Sequence, residues 1–141
     1  MKNIIERVSN RLIESGCEEN RQSGKKFFKE DIKLRGVKSA DIMSIAKSLY
    51  AEISFLSKKE IFEICTGLWQ TGYFEEGTVA CEWAYKLRKQ YQPEDFEFFE
   101  MWIENYVTNW ATCDTLCNHT VGDFVMMYPE YIEKLKEFAK S

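Results

Sequence analysis

The chain has 141 residues, 45% of them hydrophobic and 30% charged, with a net charge of −4; it reads as one domain, 1–141, long enough to bury a core of its own. The acidic balance argues against broad, charge-driven nucleic-acid binding, no apolar run approaches the roughly eighteen residues of a membrane span, and the Met1 end mixes charges with apolar residues unlike a signal peptide. Five cysteines without paired Cys-x-x-Cys spacing fit small core residues in a reducing compartment, so a cytoplasmic protein is expected.

Two prolines and seven glycines, with no alternating β-branched run, predict an all-α fold. Met1 to about Ser15 sets Ile5, Val8 and Leu12 on one side, and Gly16 is expected to stop that helix at a C′ position. A short helix follows from Glu18 to Phe28. Lys29 to Lys38 is weakly periodic, with Gly36 near its end, and reads as an extended connection. Ser39 is expected to cap the next helix, whose stripe is Ile42, Ile45, Ala46, Leu49, Tyr50 and Ile53, with Asp41 in the first turn. Ser57-Lys58-Lys59-Glu60 has the form of a capping box, and Ile61, Ile64, Leu68 and Trp69 continue as a buried face to Gly72. The following helix runs from Phe74 to about Tyr91 on Ala80, Trp83, Ala84 and Leu87. Pro93 suits the first position of another, with Phe99, Trp102, Ile103 and Tyr106 as its stripe. Tyr128-Pro129 breaks one helix and starts the last.

Charge is unevenly spread. Residues 1–50 hold eleven Lys/Arg against seven Asp/Glu, a balance of +4, which leaves −8 for the remainder. Lys25, Lys26, Lys29, Lys33, Arg35 and Lys38 form either a solvated surface or a local patch that meets phosphates. Helix pairs begin near Ser39, Phe74 and Trp110, a recurrence of roughly 35 residues that points to a HEAT-like α-solenoid of antiparallel pairs. A compact irregular bundle is the alternative. The concave face of stacked hairpins fits a long partner, either a protein or a nucleic-acid duplex.

The stretch from Trp102 to Asp123 carries polar and aromatic residues that packing does not require. From about Trp110, the residues Cys113, Leu116, Cys117, Thr120, Val121, Phe124 and Val125 form a core stripe, while Trp110, Asp114 and Asn118 line a separate edge at i, i+4, i+8. Taken plainly, Asp114 caps a helix and Trp110 packs in the core. Cys113, Cys117 and His119 make a poor metal site, because His119 lies about 200° around the helix from Cys117 and a fourth ligand is missing. No metal or cofactor is expected, and no second histidine exists to activate a thiol.

The motif Asn109-Trp110-x-x-x-Asp114, followed by Leu116-Cys117 and Val121-Gly122, resembles the hallmark region of the DNA alkylation-repair (AlkD-like) family. Gly36-Val37 before Ser39 resembles the family's G-V-x-x-P approach to a helix, Leu68-Trp69 its L-W pair, and Glu75-Glu76 to Ala80 its E-E-x-x-x-A helix. The resemblance covers the chain from about Phe27 onward. It implies a HEAT-like solenoid that holds duplex DNA containing alkylated bases and excises N3- or N7-alkylated purines, with Asp114 as the carboxylate that stabilises the cationic sugar and Trp110 facing the lesion. It also implies that Lys38 and Ser39 meet a DNA phosphate at a helix N-terminus. The chain departs from the family at Ala40, where the family has proline, and at Met43, where it has arginine. The family's site further uses an arginine and a tryptophan from helices after the region corresponding to Ser141. The chain is therefore expected to be the N-terminal part of a longer protein or a natural short relative that has lost activity, excising slowly or not at all on its own, with further repeats or a second copy covering its last helix pair. The rival expectation is a non-enzymatic HEAT-like scaffold.

Overall fold

The computed structural model describes residues 2–27, 33–105 and 127–128. Among them are six α-helices: α1 (Lys2–Ser15), α2 (Glu18–Phe27), α3 (Ser39–Tyr50), α4 (Lys58–Gln70), α5 (Phe74–Lys86) and α6 (Phe96–Asn105), with 3₁₀ turns at Arg88–Gln90 and Pro93–Asp95. The described residues form no strand; a single parallel bridge joins Lys33 to Tyr73. The fold is all-α, as the composition predicted.

Its solenoid-like order can be read from pairs of touching residues. Trp83 of α5 donates its indole N–H to the Ala46 carbonyl of α3 at 2.9 Å, across 37 residues of chain. Trp102 of α6 donates to the Thr66 hydroxyl of α4 at 2.9 Å, across 36 residues, and Phe98 meets Phe62 four residues earlier on the same two helices. A near-constant offset means that α4 and α6 run parallel, and it agrees with the period read from the sequence. Between these layers α4 and α5 run antiparallel: the Cys65 thiol faces the Ala80 carbonyl at 3.4 Å, while Trp69, further along α4, lies over Gly77, earlier on α5. Helix α1 packs against α3, α4 and α5.

The core is the set of stripes that faces these seams. Ile42, Ile45, Ala46, Leu49 and Ile53, then Ile61, Ile64, Leu68 and Trp69, then Ala80, Trp83, Ala84 and Leu87 are all buried. Phe62, Phe99, Trp102 and Tyr91 meet largely edge-on, with ring centroids 5.5–5.9 Å apart. Each such pair contributes about 0.5–1.5 kcal/mol beyond its buried area.

Several local expectations are revised. In α1 the buried residues are Ile4, Val8 and Leu12, so the stripe begins one residue earlier than Ile5, which instead lies in the groove against Gly67. Helix α1 does stop before Gly16, at Ser15, but without a left-handed residue there; among the described glycines positive φ occurs at Gly36 and Gly72. Gly16 is needed because the Arg35 carbonyl occupies the space its Cβ would take. Ser39 does not cap α3: the N-cap is Lys38, with no side-chain cap. At α4 the Ser57 hydroxyl accepts from the Glu60 N–H at 3.2 Å and donates to the Glu60 carboxylate at 3.0 Å, so the box closes between side chains. Helix α5 ends at Lys86, short of Tyr91. The Tyr91 hydroxyl then donates to the Ala84 carbonyl at 2.8 Å and folds the chain back onto the helix it has left.

Candidate functional site

The segment 33–38 is a tightly held turn rather than a loose connection. Gly36 adopts φ of +80°, a conformation that an L side chain resists. A Cβ there would also sit 2.7 Å from the Arg21 amide nitrogen. The Gly36 carbonyl accepts from Cys17 N–H at 3.1 Å, and the Lys33 carbonyl from Phe74 N–H at 3.0 Å. Leu34 beside it is buried.

The amides of the turn converge on one carboxylate. Glu75, in the first turn of α5 and 1% exposed, accepts from Arg35 N–H at 3.0 and 3.1 Å, Gly36 N–H at 3.1 Å and Val37 N–H at 3.3 Å. Three consecutive amides pointing into one concavity form an anion-binding nest, here filled from within the protein. The N-terminal dipole of α5 supports the same negative charge.

Its neighbour Glu76, 0% exposed, takes the Arg35 side chain. Arg35 Nε lies 3.0 and 2.9 Å from the two carboxylate oxygens and its second nitrogen 2.7 Å from one of them. The Ser9 hydroxyl of α1 adds a bond at 2.9 Å. The guanidinium stacks 3.7 Å from the Tyr73 ring centroid. Burial works against the charge on Arg35, but the Glu76 contact outweighs it and the guanidinium pKa is raised. Charge-assisted, forked contacts of this kind fix geometry as well as energy.

The network leads to α3. Lys38 and Ser39 are exposed at its start, and because no side chain caps the helix, its first N–H groups and positive dipole end are open to an anion. Lys33 is also exposed. Arg35, counted from sequence in the same basic run, is engaged internally. Lys25 is exposed on α2, whereas Lys29 lies outside the described residues.

Trp110 and Asp114 lie outside the described residues, as do Cys113, Cys117 and His119. The structure therefore brings together Lys38, Ser39, Gly36-Val37 and Glu75-Glu76. From sequence Glu75-Glu76 stood out only as the start of a family-like E-E-x-x-x-A helix; their burial was missed. The available signal was that Gly77, Val79, Ala80 and Cys81, also buried, leave little of this helix free to face water. Among the described residues no cluster of His, Cys, Asp and Glu is arranged to hold a metal, and no helix is long and apolar enough to cross a membrane.

A comparison with models of known families matches residues 8–141 to the one described as DNA alkylation repair enzyme. Neither the curated proteins nor the solved structures give a match.

Proposed function

Because the chain belongs to the DNA alkylation repair enzyme family, we propose that it binds duplex DNA containing alkylated bases and hydrolyses the glycosidic bond of N3- or N7-alkylated purines. The observation that carries this reading is the family match over residues 8–141, which spans both the turn before α3 and the Trp110–Asp114 motif. In the AlkD-like, HEAT-like arrangement that we infer, stacked helix pairs cradle the duplex, with Lys38 and Ser39 against a backbone phosphate. Each such contact releases counterions, so affinity should fall as salt rises.

The chemistry follows from the substrate. An alkylated purine is cationic, so when its C1′–N bond breaks the electron pair returns to the base and neutralises it, leaving positive charge on the deoxyribose. The Asp114 carboxylate stabilises that charge and orients a water, whose oxygen bonds to C1′ as its proton is lost. The products are the free alkylpurine and an abasic site. Trp110 faces the cationic sugar or lesion, where an indole contributes on the order of 1 kcal/mol. Asp114 must stay ionised for this role, which requires solvent or a hydrogen-bonding partner, because burial alone would favour its protonated form.

The test is release of methylated purine from a methylated duplex, together with salt-dependent duplex binding. Both should be present. Stable folding with neither would move the chain to the scaffold reading, which the −8 balance beyond residue 50 also fits.

A further inference from the structure

We propose that Glu75 is a positioning residue for DNA binding: its buried carboxylate, gripping the amides of Arg35, Gly36 and Val37, sets the turn that presents Lys38 and Ser39 to a phosphate. The proposal rests on the reading above, in which those two residues face the duplex.

The observations behind it are geometric. The backbone of 35–37, with its left-handed Gly36, has several ways to lead into α3, and the Arg35 side chain held by Glu76 does not by itself fix where the amides point. Glu75 selects it from outside by accepting all three consecutive amides at 3.0–3.3 Å. The carbonyls are fixed by different elements, Gly36 O by Cys17 and Lys33 O by Phe74. The next peptide leads into Lys38, whose φ of −67° and ψ of 147° direct the chain into the uncapped first turn of α3. A displacement of this turn moves Lys38 and the open N–H groups as one unit, and phosphate contacts of this kind are sensitive to shifts of about an ångström.

The role is not explained by stability alone. A buried carboxylate costs free energy to desolvate, and apolar residues of similar volume often hold a core as well or better. What an apolar residue cannot do is gather three N–H groups on one point. Glu76 holds the same turn by a different atom set, through the Arg35 side chain and Ser9, so the two carboxylates divide the backbone and the side chain of one segment between them.

The experiment is a double-mutant cycle on binding to a short duplex carrying one abasic-site analogue, using the full chain as wild type, Glu75→Gln, Lys38→Ala and both together. Thermal unfolding is recorded for each. Glu75→Gln keeps the size and one acceptor, and so should fold. Each single change is expected to weaken binding about tenfold at low salt and lower the salt slope by about one, with the double variant no weaker than either alone. Amide exchange of Gly36 and Val37 should be slow in wild type and faster in Glu75→Gln. Wild-type binding by a folded Glu75→Gln protein, unchanged exchange at those amides, or losses that multiply in the double variant would each overturn the positioning role while leaving Lys38 as a DNA contact. If the wild type binds no duplex, or Lys38→Ala binds as well as it does, the reading of Lys38 and Ser39 falls first and takes this inference with it.

Discussion

Replacing Arg35 by alanine separates a structural role from a phosphate-binding one. The Arg35 side chain is 15% exposed and its partner Glu76 0%, so removal leaves a carboxylate in the interior with the Ser9 hydroxyl and the end of α5 for company. Breaking a buried pair on one side costs about 3–5 kcal/mol, because the remaining charge is left uncompensated. Loss of the stack on Tyr73 adds roughly 0.5–1 kcal/mol. Against a total stability of about 5–15 kcal/mol for a domain of this kind, the change is severe, and it should lower the melting temperature by roughly 10–20 °C. Urea unfolding at neutral pH measures it. Adding Glu76→Gln should return part of the loss, since the charge is what makes the vacancy expensive, and a coupling of more than about 1 kcal/mol is expected between the two sites. A cost below about 1 kcal/mol, typical of exposed pairs, would show that the Arg35–Glu76 pair is not held in the interior. So would full additivity. If Arg35→Ala left stability intact and weakened DNA binding alone, the guanidinium would be a phosphate contact after all.

Other changes probe the same scaffold. Gly36→Ala forces a side chain into positive φ and against the Arg21 amide, and should cost about 2–4 kcal/mol in urea unfolding. Trp83→Phe leaves the Ala46 carbonyl without its indole donor and opens space beside α3, which should lower stability by about 1–3 kcal/mol by the same measurement. Burial raises the pKa of the Cys65 thiol, so the folded state holds that proton more tightly than the unfolded chain. The contribution is therefore whole below the unfolded value of about 8.5 and declines as pH rises above it; at pH 9.5 wild type should lose about 1.4 kcal/mol relative to Cys65→Ala, compared with their difference at pH 7. Parallel stability curves for the two proteins would contradict this.

The helices were legible because their apolar positions repeat at helical spacing and because Ser57, Gly72 and Pro93 mark their ends through local chemistry. Even the 36-residue offset between Thr66 and Trp102 had its trace in the spacing of the helix pairs. The failures concern long-range contacts. Gly16 marked the end of α1 correctly, yet the reason a glycine is needed there, the Arg35 carbonyl of a distant segment, left no local sign. Arg35 counted as one cation among several until Glu76, 41 residues away, took it inward. Ser39 looked like a cap by type, but the chain reaches α3 through Lys38, one residue earlier. Of the candidate site, the sequence supplied Lys38, Ser39 and the Gly36-Val37 motif; the carboxylate that arranges them was visible only as a residue pair at a helix start, with no sign of what it held.

Excision by Asp114 can be measured as single-turnover release of methylated purine from a methylated duplex, with protein in excess. The wild-type chain should release free methylpurine faster than the same duplex loses it without protein. Asp114→Asn should reduce that excess rate at least tenfold with its melting temperature unchanged, because the substitution keeps size and removes the stabilising charge. Release at the protein-free rate, or equal rates for wild type and Asp114→Asn, would leave Asp114 without a catalytic role.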